Sequence, residues 1–269
     1  MKVTNKDFYR FINIIKQNYG VDLNQKRALV EERLDKILLS CNFLHLDQLL
    51  YVLEEKKDEL INSKVIGLLV TNYTYFLREP FHFEILNEVI LPKLYHNGNK
   101  KKGIRVWSAA TSSGQEAYSI LMIILNFLKE ESNEWNVEVI GTDVSQVMIK
   151  KAMMGIYQKE EVEMVSSEWL QHYFTILRDG NYKINESLKE TVRFEMLNLL
   201  SDFEFDKLFQ VIFIRNVLIY FESGLIDQIV DKVADFLEVG GYLFIGLFET
   251  IEIKSSKLIC IKPSVYRKI

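Results

Sequence analysis

Two cysteines, three prolines and twelve glycines are all that 269 residues hold, and each scarcity removes a class of protein. Cys41 and Cys260 stand far apart, outside any CxxC pair and away from histidine. They fit a reducing, cytoplasmic compartment better than a disulfide scaffold. The four histidines, His45, His82, His96 and His172, show no HExxH spacing, so no metal site is expected. So little proline and glycine leaves no long flexible linker, and no solenoid-length repeat is evident. No stretch approaches the ~20 apolar residues that span a bilayer. The first residues, MKVTNKDFYRF, carry charge through their first apolar turn and lack a signal-peptide core, so no membrane insertion is expected. Positive charge is not in excess either: the formal net charge is -4 and the pI near 5.7, which gives no overall electrostatic reason to bind nucleic acid.

What is present is apolar content, 48% of the chain, enough for a full core. Thr4 with Asp7 three residues on has the spacing of a helix cap. Phe8, Phe11, Ile12, Ile15 and Tyr19 then recur with helical period until Gly20. Val30, Leu34, Ile37, Leu38 and Cys41 mark a second helix, and the periodicities Leu46 to Leu53 and Leu60 to Leu69 two more. Residues 1–75 therefore read as an all-helical domain. A further helix is expected from Pro80 to about Leu94.

Beyond the charged loop NGNKKKG the pattern becomes short apolar strands alternating with helices, the mark of a mostly parallel sheet covered on both faces. Strands are expected at Ile104 to Ala109, Val137 to Thr142, Val211 to Arg215 and Tyr242 to Gly246, with a last one in PSVYRKI. Helices are expected at about 114–130, 145–153 and 223–237. The rhythm breaks over about 157–198, where NYKINE and ETVRFEM are read as a small antiparallel insertion. Residues 76–269 thus form an α/β domain of Rossmann-like type.

Four segments carry candidate chemistry. In IRVWSAATSSGQEAYSILM a strand enters a loop of small residues, Ala109 to Gly114, and then a helix that starts with Gln115 and Glu116. In doubly wound folds such a turn lets a nucleotide-like ligand approach the backbone, though an ordinary tight turn has the same composition. One glycine is not GxGxxG, which weighs against a pyrophosphate. In VEVIGTDVS, Asp143 closes an apolar strand, placed either to accept ribose hydroxyls or to cap the next helix. An acid for ribose without a phosphate loop favours S-adenosylmethionine over a dinucleotide. In VTNYTYFLREPFHF, a helical reading puts Thr71, Thr74 and Arg78 on one face, and the plain alternative is a loop with a surface arginine. In VIFIRNVLIYF, a buried strand ends in Arg215 and Asn216, with Tyr220 close behind.

The stretches TNYTYFLRE, IRVWSAATSSGQEAYSI, GTDVS, FEMLNLL, IRNVLIYF, VGGYLFIG and PSVYRK, in this order, resemble the CheR chemotaxis receptor methyltransferases over nearly the whole chain. The resemblance implies an N-terminal helical domain, a methyltransferase sheet with a small β insertion, and S-adenosylmethionine as cofactor with S-adenosylhomocysteine as product. It implies a protein-glutamate O-methyltransferase acting on the cytoplasmic helical domain of a methyl-accepting chemotaxis receptor; a monomer is expected. It places Asn72, Thr74 and Arg78 over the cofactor, and Ala109, Glu116, Asp143, Asn198, Leu199, Asn216 and Val217 around it. Arg78 and Tyr220 come nearest the transferred methyl.

The chain departs from the family pattern at Tyr73, at Gln115 and Ala117, and at Leu247 in GLFE before Glu249. Its insertion has only RDGN where pentapeptide-docking members carry a longer glycine-rich loop, which points to pentapeptide independence. Lys26, Arg27, Arg33 and Lys36 offer a basic face to a glutamate-rich helix, or are ordinary surface pairs with their acidic neighbours. Rival readings are a methyltransferase for another substrate and a catalytically dead adaptor. A Rossmann oxidoreductase lacks its glycine pattern here.

Overall fold

The computed structural model describes residues 3–55, 58–70, 72–97, 103–251 and 257–269. Thr71 and most of the NGNKKKG loop lie outside the described residues. Helix α1 (Asn5–Tyr19) begins where Thr4 accepts the Asp7 N–H and ends at left-handed Gly20. The cap and glycine stop therefore act as the spacing predicted. α2 (Arg27–Ser40), α3 (Leu46–Glu55) and α4 (Glu59–Leu69) follow. Phe11, Ile15, Val30, Leu34, Ile37 and Leu49 form the fully buried centre of this helical cluster. The cluster is not loosely tethered. Ser63 on α4 donates to the Val144 carbonyl and accepts the Gln146 N–H, and Gly67 lies so close that a Cβ there would come within 2.3 Å of Ser145 Oγ.

The helix expected from Pro80 forms as α5 (Pro80–Ile85), a π turn at Leu86–Ile90 and α6 (Leu91–Asn97). The α/β part then runs β1 (Ile104–Ala109), α7 (Gln115–Leu128), β2 (Val137–Asp143), α8 (Gln146–Met154), β3 (Ile156–Tyr157), α9 (Ser167–Tyr173), β4 (Phe174–Ile176), β5 (Tyr182–Ile184), α10 (Glu186–Thr191), β6 (Val192–Met196), β7 (Phe209–Ile214), α11 (Ser223–Asp235), β8 (Leu237–Ile245), β9 (Leu258–Lys262) and β10 (Val265–Lys268). The main sheet has the order β6-β2-β1-β7-β8-β10-β9. Its first five strands are parallel, and β10 and β9 are added antiparallel. β1, β7 and the distal half of β8 are buried on both faces, which is why they read as unbroken apolar runs. Phe213 and Phe244 stack with ring centroids 4.4 Å apart on one face, while Trp107, Ile212 and Leu243 pack with α11 on the other.

One expectation is corrected. ETVRFEM is not part of the antiparallel insertion: it forms β6, which pairs parallel with β2 as an edge of the main sheet. An edge strand pairs on one side only. Here it buries Val192 and Phe194 while exposing Arg193 and Met196, so it alternates like a surface hairpin strand. The insertion itself is the three-stranded antiparallel sheet β3-β5-β4.

Strand order reverses between β1, whose next strand lies on one side, and β7 on the other. Register aligns the carboxyl ends of the strands, with Ala109 beside both Thr142 and Ile214, Asp143 beside Met196, and Ile214 beside Ile245. Every loop that follows these strands therefore issues along one edge of the sheet, the place where open α/β folds bind ligands.

Candidate active site

A cavity of about 470 Å³ lies along this edge and is closed by residues of the helical cluster, Tyr19, Val21, Lys26 and Ile66 among them. Asn72, Thr74, Arg78, Glu116, Asp143, Asn198, Leu199, Asn216, Val217 and Tyr220 all line it. Ala109 does not. It ends β1 fully buried in the core, and Ala110 takes its place in the lining. Residues 72–78 are an irregular loop rather than a helix. Thr74 and Arg78 thus reach the cavity by backbone turns, with left-handed Leu77 and Glu79 redirecting the chain.

Backbone strain concentrates here. Leu77, Glu79, Ala110, Ser112 and Asn216 have positive φ without being glycine, and all lie on the loops around the cavity. Such conformations persist where surrounding bonds over-determine them. At the β1 loop, Asp143 supplies those bonds: one oxygen accepts the Ser112 N–H and the other the Ser145 N–H, each at 2.8 Å. Burial pushes its carboxyl up to about 6, against these two bonds. Asn72 ties its loop back by donating to the Gly67 carbonyl at 2.6 Å, and Asn198 donates to the Asn18 carbonyl at 2.9 Å.

Two residues hold the centre of the site: Arg215, which the sequence marked as the polar end of a buried strand without giving it a role, and Glu79, which it did not mark. Arg215, with its side chain almost wholly buried, pairs with Glu116 and Glu79 at 3.1 Å each and donates to the Arg78 carbonyl at 2.6 Å. An arginine closing the apolar strand VIFIR was the signal for it. Glu79 also accepts from the Asn216 amide at 3.0 Å and the Leu247 N–H at 3.1 Å. Burial works to raise its carboxyl, but Asn216, Arg215 and Leu247 outweigh it and hold it below the usual range. Burial raises the Glu116 carboxyl despite Arg215 and a 2.7 Å bond from Ser108. His82, fully buried beneath this network, bonds Ser264 at 2.6 Å and is pushed down to about 3 by burial and by Arg215, so it stays neutral.

Arg78 is spent differently. It donates to the Tyr73 carbonyl at 2.6 Å and lies over the Tyr73 ring, part-exposed at the cavity wall. Lys26 stands 5.3 Å over the ring of Tyr220. The four basic residues of the second helix do not form one face. Arg33 donates to the Leu68, Leu69 and Val70 carbonyls that end α4, and Arg27 is held by Glu31, Asn5 and the Val3 carbonyl. Of the four, Lys26 and Lys36 are exposed and Arg27 and Arg33 half-buried.

The lining fits an adenosine sulfonium compound bearing an amino acid. Thr111 Oγ1 and Arg215 Nε are buried without a partner among the described residues, leaving a hydroxyl and a cationic donor for ligand atoms. Asp143 keeps lone pairs for ribose hydroxyls, and no glycine-rich phosphate loop competes. Among the described residues no group of three or more His, Cys, Asp or Glu could hold a metal ion. No described helix is long and apolar enough to cross a membrane.

Sheet order, switch point and acid-closed second strand are those of a nucleotide-binding α/β fold, and the match of residues 72–266 to a SAM binding domain makes the class an S-adenosylmethionine-dependent methyltransferase. Comparison with known proteins gives the family. Residues 72–266 match the CheR methyltransferase SAM binding domain and residues 6–62 the CheR methyltransferase all-alpha domain, so the chain belongs to the CheR methyltransferase family. It is 33% identical to a chemotaxis protein methyltransferase of Borreliella burgdorferi, covering 100% of this chain and 96% of the relative. It is 32% identical to chemotaxis protein methyltransferase Cher2 of Pseudomonas putida and 33% identical to chemotaxis protein methyltransferase 1 of Pseudomonas aeruginosa, covering 93% of this chain and 92% of each relative.

Proposed function

We propose that this chain methylates glutamate side chains on the cytoplasmic helical domain of a chemotaxis receptor, acting as a monomeric cytoplasmic enzyme. The observation that carries this reading is the polarity of the cavity. Its inner wall carries two acids, Asp143 and Glu116, and one buried cation, Arg215, whose charge is met by Glu116 and Glu79, so the wall is net negative, while its more exposed lining residues include the cations Arg78 and Lys26. The first suits a cationic cofactor and the second an anionic acceptor. The chemotaxis names of the relatives point the same way.

When bound, S-adenosylmethionine supplies an electrophilic methyl on a positively charged sulfur. Asp143 would hold ribose hydroxyls, Glu116 with Arg215 the amino-acid end, and Asn72, Thr74, Asn198, Leu199, Asn216 and Val217 the remaining surface. No general base is needed, because a glutamate of pKa ~4.3 is already ionised at neutral pH. Arg78 positions its carboxylate with paired donors and Tyr220 closes the site over it. The carboxylate oxygen forms the new C–O bond, and the S–C electron pair leaves with sulfur, giving a methyl ester and S-adenosylhomocysteine.

In this reading the helices of residues 1–75 recognise the receptor and 76–269, with the 72–75 loop, carry the chemistry, the β subdomain being confined to the sheet β3-β5-β4. Leu177 and Asn181 close a tight turn between β4 and β5, which supports pentapeptide independence. The test is incubation with tritiated S-adenosylmethionine and membranes of the same organism. Base-labile label on a receptor-sized band is expected. Tight S-adenosylhomocysteine binding without such label would reassign the acceptor, and no binding at all would favour an adaptor.

A further inference from the structure

Four large apolar side chains lie exposed on the loops around the cavity: Tyr73 at 69%, Ile219 at 58%, Leu247 at 41% and Phe248 at 92%. Scattered apolar residues are ordinary on a surface, but these sit on three loops bonded to one another. Glu79 joins the 72–79 loop to the Leu247 N–H, and Glu249 joins the 246–249 loop to the Asn216 and Ile219 N–H groups. Tyr73 and Ile219 also line the cavity itself. Two of the four thus border the cavity that Arg78 lines, and Leu247 and Phe248 stand on a loop whose backbone is bonded to the same wall.

We propose that this rim, with Phe248 as its anchor, is a specificity surface for a protein helix in which the target glutamate has apolar side chains three or four positions away. The inference rests on the function proposed above and narrows its substrate class. Residues at those spacings share the glutamate's face of a helix, so they meet whatever surrounds the mouth when the carboxylate enters. Arg78 supplies the charge complement and the rim the apolar one. Covering the rim also removes water from the mouth, which strengthens the grip of Arg78 on the carboxylate. A free acid would leave Phe248 in water, so the surface selects glutamate within a helix over glutamate in solution. The loop backbone beside Phe248 is already tied through the Gly246 and Leu247 N–H groups, so docking orders the ring and not the loop.

The experiment compares the full-length protein with Phe248→Ser, using the purified cytoplasmic fragment of a receptor from the same organism as methyl acceptor. The fragment is used as found and with the apolar neighbours of one methylated glutamate changed to serine. Phe248 is exposed, so the variant should fold, and S-adenosylhomocysteine affinity by calorimetry checks that it has. Expected is an increase of about tenfold in KM for the fragment, as loss of one buried aromatic contact implies, with kcat unchanged. The serine-flanked glutamate should lose the same factor with the unaltered enzyme and little more with the variant. A KM within twofold of the unaltered protein, or a fall in kcat alone, overturns the rim while leaving the proposed function standing. No transfer to the fragment by the unaltered protein overturns both.

Discussion

The side chain of Asn216 hangs from Glu79, its amide donating to Oε1 at 3.0 Å across 137 residues of sequence. Its backbone N–H is taken by Glu249 at 2.9 Å, and the same carboxylate accepts the Gly246 and Ile219 N–H groups. A buried acid, Glu249, and a part-buried one, Glu79, thus hold one left-handed residue in the cavity wall. Glu249→Gln puts an amide donor among backbone donors. It should cost about 1–3 kcal/mol of stability, read by urea or thermal unfolding, and weaken S-adenosylhomocysteine binding because Asn216 and Val217 shift.

Arg78→Ala should lower methyl transfer by ~10²-fold or more, while S-adenosylhomocysteine affinity changes much less. Arg78→Lys should recover only part of the rate, since an ammonium cannot grip a carboxylate with two parallel donors. Single-turnover transfer with labelled cofactor and calorimetry give the two readings.

Asp143 links the site to pH. Its folded carboxyl, at about 6, lies above its unfolded value, so the native state holds the proton longer. The stability it contributes is fully present below the unfolded pKa and lost as pH rises through about 6. Ligand hydroxyls donate to the ionised form, so S-adenosylhomocysteine should bind about tenfold tighter at pH 7 than at pH 5. Calorimetry across that range should show the slope flattened in Asp143→Asn, which also destabilises by turning a donor towards Ser112 or Ser145.

Gly67→Ala tests the junction between the helical cluster and the sheet. The added Cβ meets Ser145 Oγ at 2.3 Å and Ser145 Cβ at 3.0 Å, so α4 must shift. A loss of about 1–3 kcal/mol is expected from overpacking, a fall of roughly 2–4 °C in melting temperature per kcal/mol. Because α4 carries Ile66 into the cavity, ligand affinity should fall with it.

Local pattern carried far. Thr4 and Gly20 bound the first helix because capping is a short-range matter, and the apolar runs of β1 and β7 announce strands buried on both faces. Asp143 was legible as an acid closing an apolar strand, while Arg78 and Tyr220 were marked out by the family resemblance. Edge position was not legible: ETVRFEM alternates whether it sits in a hairpin or at the rim of a parallel sheet, and pairing with β2 is a contact 53 residues away that no window contains.

What the sequence settled alone were most of the helices and central strands and the edge of the sheet where ligands bind, because these follow from periodicity, capping and chain direction, whereas the early start of β8 and the edge strand β9 escaped it. Tertiary structure decided how the charges are spent. Arg33 caps α4 instead of facing a partner, Arg215 becomes the pivot between Glu79 and Glu116, and Asp143 is raised towards neutrality. A charge takes its role from what surrounds it after burial, and those neighbours arrive from distant parts of the chain.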